Sequence, residues 1–462
     1  MIREVDAIVI GSGQGGVPLA VTLAQRGRRV ALFERGPFGG TCINTGCTPS
    51  KAFLAGAHAV GRARRATALG LRGEVRLDFP AAMERVRGLV ASWSAATRAR
   101  LVSAGVELVA GEAAFCGERT VAAADVTLRA PLVVIDSGAA PSLPPLAGLR
   151  DVPYLDNRSF FAQTALPQRF LVLGGGYIGL ELGQGMARAG SEVHVVDPHP
   201  HVLDREEADA GAVLESALGA DGVQFHLGAN ATAVRRAGDA IVLALADGSE
   251  LIGDALLVAT GRVPNTADLH CERAGIALDG RGFVAVDAHL RTSASGVYAL
   301  GDVAGGPAFT HVSWEDHRRI LAALDGEPRT RDDRVLAYST FTEPQLARVG
   351  FTLAQAQAGG HRARAVTLPL SSVARAVEWN EERGFYRLVV DEDDDRILGA
   401  TLVGYEAGEI VHAILAHIVS GSGWQRLDQS VHIHPTFSEG LPSLARLVAS
   451  ERAAAAPLPP GP

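Results

Sequence analysis

The sequence predicts an α/β chain in which two units of one kind are followed by an α+β domain, and three observations carry that prediction. Two segments share one grammar: an apolar strand, a glycine-rich turn, a helix, then a second strand closing on an acid. The first runs Ala7-Ile-Val-Ile10, Gly11-Ser-Gly13-Gln-Gly15-Gly16, a helix through Arg26, and Val30-Ala-Leu-Phe33 ending at Glu34. The second runs Phe170-Leu-Val-Leu173, Gly174-Gly-Gly176-Tyr-Ile-Gly179, a helix through Ala189, and Val193-His-Val-Val196 ending at Asp197. From about Val335 the character changes, with strand-like and helical runs alternating and no glycine fingerprint. The first two segments read as Rossmann-like dinucleotide-binding domains.

Each acid lies 23 residues after its first glycine, and the two units start 163 residues apart. One such motif is common; two complete units predict a protein that holds two dinucleotides. In each, Gly11, Gly13 and Gly16, or Gly174, Gly176 and Gly179, let the backbone turn tightly and approach a pyrophosphate. Its charge then meets the unpaired N–H groups and positive end of the following helix. The acid accepts hydrogen bonds from an adenosine ribose. At Asp197 a carboxylate would repel the 2′-phosphate of NADPH, and no arginine follows until Arg205, so NADH is expected in preference to NADPH.

The remaining elements follow in order. Val133-Val-Ile-Asp-Ser-Gly138 and Leu256-Leu-Val-Ala-Thr-Gly261 look like matched strand exits from the two units. A strand in Thr292-Ser-Ala-Ser-Gly-Val-Tyr-Ala-Leu-Gly-Asp302 ends on a carboxylate that could bond a cofactor polyol, and leads into a helix from Thr310. In the last domain Leu346–Gly350, Phe385–Val390 and Ile397–Val403 read as strands, residues 408–419 as a helix, and the acidic run 391–395 as a solvated hairpin turn. The expected division is 1–147, 148–265, a return to the first domain over 266–334, 335–452, and an Ala/Pro-rich disordered tail over 453–462.

At 462 residues, 47% hydrophobic and 20% charged, the chain has the composition of a globular protein of roughly three domains. Its net charge of −8 is spread without a basic stripe, which argues against nucleic acid. The first strand starts almost at Met1, leaving no room for a signal peptide, and no uncharged run is long enough to span a membrane. A cytoplasmic location is the expectation. His194, His199 and His201 are read as packing and loop residues, so no metal site is assigned.

Four cysteines are too few for a disulfide scaffold. Cys116 and Cys271 stand alone and are expected to be buried. Cys42 and Cys47 form a close pair without the further ligands that a metal would need, so redox chemistry is the stronger reading. Residues five apart on an ideal helix have Cα atoms roughly 8–9 Å apart, beyond the ~7 Å limit for a disulfide, so a bond requires a distorted segment. Gly39, Gly40 and Gly46 permit that, and Pro49 suits the first turn of a helix expected over 51–65. At a helix N-terminus the dipole favours thiolate. Lys51 adds weight: the other 42 of 43 basic residues are arginine, yet an ammonium stands four residues past the pair.

The run Gly39-Gly-Thr-Cys42-Ile-Asn-Thr-Gly-Cys47-Thr-Pro-Ser-Lys51, with both fingerprints, Gly301-Asp302 and His432-Ile-His434-Pro-Thr-Phe-Ser-Glu439, resembles the FAD-dependent class I pyridine nucleotide-disulfide oxidoreductases over nearly the whole chain. That family includes lipoamide dehydrogenase, glutathione reductase and mercuric reductase. The resemblance implies FAD on Gly11, Gly13, Gly16 and Glu34, with Thr41 nearby and Asp302 on its ribityl chain. It places the nicotinamide nucleotide on Gly174, Gly176, Gly179 and Asp197, with Tyr177 as an aromatic gate and Gly261 at the exit. Cys47 would lie against the flavin as thiolate, and Cys42 would exchange with substrate. Lys51, near the flavin, would pair with Glu181. His434, oriented by Glu439, would be the acid/base and would reach the active site of the partner subunit in a homodimer.

The implied cycle moves electrons between NAD(H), FAD, the Cys42–Cys47 disulfide and an external dithiol or disulfide. Asp197 and the His434/Glu439 pair favour dihydrolipoamide/lipoamide; Pro198 and Asp204 stand where NADPH-binding arginines of glutathione reductase would align. Ile43 to Thr48 and the stretches from Ala308 and Glu439 are closer to a mercuric-reductase-like branch, although the sequence shows neither the C-terminal cysteine pair nor the N-terminal metal-binding domain of those enzymes. The alternatives are therefore reduction of another small disulfide, a metal ion or an oxidant, and, in a different class, a low-turnover redox-sensing flavoprotein. The complete catalytic set argues for an enzyme.

Overall fold

Alternate residues of the strand Ala7–Ile10 face two different cores. In the computed structural model, which describes residues 1–327 and 329–455, Ala7 and Val9 pack with Leu19 and Leu23 of the helix Gly16–Gln25, while Ile8 and Ile10 pack with Phe115, Val121 and Leu128. The same alternation divides Val30 and Leu32 from Ala31 and Phe33, and Leu132 and Val134 from Val133 and Ile135. A strand covered on both faces has no polar side to show, which is why these segments read as unbroken apolar runs.

By internal packing the chain divides into two units. One comprises Met1–Ala55, Asp78–Leu166 and Leu257–Arg334; the other comprises Gly56–Leu77, Pro167–Leu256 and the chain from Val335 onward. The centre of the first is a parallel sheet in the order Val297–Ala299, Leu132–Ile135, Ala7–Ile10, Val30–Glu34, Glu107–Ala110. Its direction of growth reverses beside Ala7–Ile10, and ligands of such sheets bind at the carboxyl ends of the strands there. A second sheet adds Ile2–Glu4, pairing in parallel with Val126–Arg129, to the strands Thr120–Ala123 and Ala114–Gly117. The 25-residue helix Phe79–Ser103, capped by the Asp78 carboxylate on the Ala81 N–H, also belongs to this unit.

The second unit holds the other βαβ element, with Arg169–Leu173, Glu192–Asp197 and Val223–Leu227 paired in parallel and the helix Tyr177–Ala189 between the first two. Its C-terminal part is an antiparallel sheet in the order Ala337–Thr340, Gln345–Gly350, Ile397–Gly404, Phe385–Asp391, Ala363–Pro369. Ala347, Val349, Leu388, Val390, Ala400 and Leu402 of this sheet share a core with Val411 and Ile414 of the helix Ala407–Val419 and with Leu441 and Leu444 of Gly440–Ala455.

A buried ionic cluster ties this unit together. The Arg188 side chain is wholly buried and donates to Glu343 at 2.7 Å and Asp221 at 2.9 Å, with His58 Nδ1 2.7 Å away. Arg62 and Arg65 also reach Glu343. Gln184 bonds both the N–H and the carbonyl of Glu343. Burial pushes the His58 imidazole down to about 4. Against the upward push of burial, the charges of His58, Arg188 and Arg62 hold Glu343 down to about 2.

Three expectations change. Cys116 is exposed, because Phe115 takes the core-facing side of the strand Ala114–Gly117. The acidic turn 391–395 does join two strands, yet it is anchored: Asp391 bonds His361, and Asp395 accepts from Trp424 and Gln425. The helix Gly440–Ala455 enters the expected tail, as its alanines favour; the rest of that tail, 456–462, lies outside the described residues.

Candidate active site

The cysteine pair is placed by a broken helix. The short helix Gly40–Asn44 carries Cys42; Thr45 and Gly46 interrupt it, and a second helix, Cys47–Arg65, starts at the other cysteine. That start is four residues earlier than Lys51, so Cys47 and Pro49 both lie in its first turn. Thr45 has φ −145°, and its carbonyl accepts from Asn157 Nδ2 at 2.9 Å. Asn44 Nδ2 donates to the carbonyls of Pro37, Phe38 and Gly40. The two helices remove the spacing objection that one regular helix would raise.

Cys42 and Cys47 are free thiols here, with Cys42 partly buried and Cys47 exposed. Cys47 Sγ lies 3.1 Å from Thr310 Oγ1, at the start of the helix Thr310–Leu324. The hydrogen bond with Cys47, then burial, pushes the Cys42 thiol far above its ordinary range, against the pull of Thr310 and the Lys51 charge. Negative charge is therefore disfavoured on Cys42, while Cys47 occupies the helix N-terminus, where thiolate is favoured. Lys51 is half-buried one turn further along.

Both acids of the βαβ units are held alike. Glu34 Oε2 accepts the Ser12 N–H at 2.9 Å and its hydroxyl at 2.6 Å, and Oε1 accepts the Gly36 N–H at 2.8 Å. Asp197 Oδ2 accepts the Gly175 N–H at 2.6 Å, and Oδ1 accepts the His199 N–H at 2.9 Å. Each takes the N–H of the residue after the first glycine and that of the residue two past itself. The helices are brought close in the same way: a β-carbon on Gly16 would stand 2.6 Å from the Gly11 carbonyl oxygen, and one on Gly179 would stand 2.0 Å from that of Gly174. Gly176 precedes the helix Tyr177–Ala189 with nothing within 4 Å of its β-carbon position, which leaves room for a ligand at the helix N-terminus; half-buried Tyr177 opens that helix.

Around the first fingerprint the structure adds residues that sequence reading missed. Asp136 Oδ2 accepts the Gly16 N–H at 2.7 Å, and a β-carbon on Gly13 would stand 2.5 Å from the same oxygen. Burial drives this carboxyl well above its ordinary range; the Gly16 N–H opposes that, and Asp302, Glu34 and Asp316 add to it. Asp302 lies in the turn Gly301–Ala304 with Arg262 3.3 Å away; burial raises it and Arg262 draws it back. Asp316 accepts the Gly301 N–H at 2.9 Å. The two strand exits meet: Arg262–Pro264, directly after Gly261, pairs antiparallel with Ala139–Pro141, directly after Gly138. Arg262 could have been noticed beside Gly261; Asp136 stood inside a quoted strand exit without any spacing signal.

In the second unit, Glu181 is buried and accepts the Phe341 N–H at 2.9 Å. His434 Nδ1 lies 2.8 Å from Glu439 Oε2, which directs Nε2 outward, and the imidazole is 73% exposed. Glu439 is itself fixed by the Thr436 N–H in a capping box. Val431 and Ile433, on either side of His432, are 98% and 79% exposed. His194 bonds His226 at 3.0 Å, and among the described residues no group of His, Cys, Asp or Glu is arranged to hold a metal. No helix of the described residues is long and apolar enough to cross a membrane.

The family model described as pyridine nucleotide-disulphide oxidoreductase matches residues 5–316, and that of the family's dimerisation domain matches 336–445. Dihydrolipoyl dehydrogenase of Thermus scotoductus is 34% identical over 95% of this chain and 96% of its own length. Mercuric reductase of Streptomyces lividans is 35% identical, covering 96% of each. The solved Cu(II) complex of the HOCl-induced flavoprotein disulfide reductase RclA from Escherichia coli superposes with a TM-score of 0.89 at 33% identity, over 96% of this chain and 100% of that one. The chain belongs to the class I pyridine nucleotide-disulfide oxidoreductase family. It is an enzyme that uses FAD and a pyridine nucleotide in disulfide oxidoreduction, and it carries the homodimer-forming domain. The residues present fit both groups. Glu34 Oε1 accepts from Gly36 alone among the described residues and can take a ribose hydroxyl, and the open position at Gly176 admits a pyrophosphate.

Proposed function

We propose that the enzyme is an NAD-linked dithiol/disulfide oxidoreductase of the dihydrolipoyl dehydrogenase type, acting on dihydrolipoamide/lipoamide. The observation that carries this reading is the His434–Glu439 pair, whose 2.8 Å bond holds Nδ1 as donor and leaves Nε2 as a base for an incoming thiol. FAD, held through Gly11, Gly13, Gly16, Glu34 and Asp302 with Thr41 nearby, supplies a two-electron relay between nucleotide and dithiol. Cys47, at the helix N-terminus, carries the thiolate. Cys42, whose proton is held more tightly, exchanges with substrate and needs an external base. His434 of the partner subunit serves as that base in the homodimer. Lys51 keeps positive charge beside the flavin, and Asp197 selects NADH over NADPH.

A second reading, reduction of another small disulfide, a metal ion or an oxidant, is favoured by the similar identity to mercuric reductase and by the likeness to RclA. The test is dihydrolipoamide-dependent reduction of NAD⁺ on enzyme of known flavin content, with NADP⁺ as control. Rapid, NAD⁺-selective turnover supports the lipoamide reading. Negligible turnover by enzyme whose flavin NADH still reduces removes it and leaves the second.

A further inference from the structure

The two strand exits match in sequence, yet they differ two residues before the closing glycine: Asp136 stands there before Gly138, and Ala259 before Gly261. Only the first exit sets a carboxyl at that place. Asp136 is 7% exposed. β-carbons on Gly13 and Gly16 would stand 2.5 and 2.7 Å from its Oδ2, and one on Gly301 would stand 3.5 Å from Oδ1. The carboxyl therefore lies between the glycine turn of the first fingerprint and the turn Gly301–Ala304, which carries Asp302. Oδ2 accepts the Gly16 N–H at 2.7 Å, while Oδ1 has no hydrogen-bond partner among the described residues.

An ionised carboxyl at this place conflicts with the ligand of a glycine fingerprint. It sits at the helix N-terminus that receives a pyrophosphate, and its charge has the same sign. The neutral acid removes that charge and adds an O–H donor at the unengaged oxygen. The charged groups acting on Asp136 most strongly are themselves acids: Asp302, Glu34 at the end of Val30–Glu34, and Asp316 on the helix Thr310–Leu324. Asp302 is paired with Arg262, and Asp316 with Arg334. Burial first, then these like charges, hold the proton on Asp136 against the pull of the Gly16 N–H.

We propose that Asp136 is a proton-dependent positioning residue for FAD: protonated, it donates from Oδ1 and admits the pyrophosphate; ionised, it repels the cofactor. The inference rests on the placement of FAD at the first fingerprint. Binding of the anion and loss of the proton oppose each other, so bound FAD raises the pH at which Asp136 ionises. Between the ionisation points of flavin-free and flavin-bound protein, each further pH unit should weaken FAD binding by up to about 10-fold.

The test dilutes holoenzyme serially at pH values from about 6 to about 9 and reads released flavin by its fluorescence, which gives a dissociation constant at each pH. Asp136→Asn keeps the size and an acceptor for the Gly16 N–H but cannot ionise. Asp136→Ala, which copies Ala259, is the second variant. The wild-type constant should rise at least about 10-fold across the range, and that of either variant no more than about 3-fold. The ratio of wild type to variant cancels the effects of other titrating groups. A wild-type constant independent of pH, or the same rise in wild type and variants, overturns the inference. Glu34→Ala tests the placement separately, because loss of the acid should weaken FAD binding about 10-fold at every pH. Unchanged affinity in that variant removes the placement, and the inference with it; weakened affinity leaves the placement standing whatever the Asp136 variants show.

Discussion

A β-carbon on Gly40 would stand 2.9 Å from the Cα of Gly13, so the cysteine-bearing segment lies backbone to backbone against the first nucleotide fingerprint. The Gly39 N–H bonds Ser12 Oγ, which bonds Glu34, and this extends the contact to the acid at the end of the strand Val30–Glu34. The cysteine pair and the first glycine fingerprint are thus one local structure. Gly40 also has φ +60°, a conformation costly for other residues.

Gly40→Ala should therefore cost stability and flavin together. We expect a loss of about 1–3 kcal/mol and a lowered FAD-to-protein ratio, read by melting and by absorbance of the purified protein. Full flavin content with unchanged melting would show that the contact is dispensable.

Cys42→Ser should leave a flavin that NADH reduces at near wild-type rate while disulfide turnover disappears. The division follows from the two helices: the substitution removes the exchanging thiol and leaves Cys47 at its helix N-terminus beside Thr310. Steady-state turnover in the variant would reassign the exchange role.

His434→Gln should lower disulfide turnover by about 10²–10⁴-fold, the usual contribution of a general acid/base, with NADH-dependent flavin reduction unchanged. Glu439→Gln keeps a partner for Nδ1 and should cost less, with an altered pH profile. Equal losses in both half-reactions would point to a fold defect.

Much of this was legible in the sequence because its signals are local. The fingerprints, the acids and the Cys-x₄-Cys-x₃-Lys spacing each lie within one strand, turn or helix, and the strands and helices they imply are present within a few residues. Long-range relationships were not legible. Asp136 reaches Gly16 across 120 residues, and Arg262 reaches Asp302 from a separate segment of the chain. The edge strand Ile2–Glu4 depends on a partner at Val126–Arg129. Cys116 was misplaced because burial of a lone cysteine depends on which face of its strand it occupies.

The buried cluster around Arg188 predicts acid sensitivity. His58 has a folded-state value of about 4 against an ordinary 6.5, so the unfolded chain binds the extra proton and stability is lost as pH falls from about 6.5 to about 4. The loss is on the order of 3 kcal/mol. Glu343, held down to about 2, loses its contribution at still lower pH, from about 4.5 downward. His58→Gln should flatten the melting-temperature profile between about pH 6.5 and about pH 5; an unchanged slope would show that other groups govern it.

The central claim, that electrons from either end of the reaction reach the Cys42–Cys47 pair, is tested most directly by mapping thiols. Oxidised enzyme would be treated anaerobically with NADH or with dihydrolipoamide, alkylated, and analysed by peptide mass spectrometry against untreated enzyme. Each reductant is expected to make Cys42 and Cys47, and neither Cys116 nor Cys271, newly reactive. Labelling of Cys42 and Cys47 that neither reductant changes would contradict it.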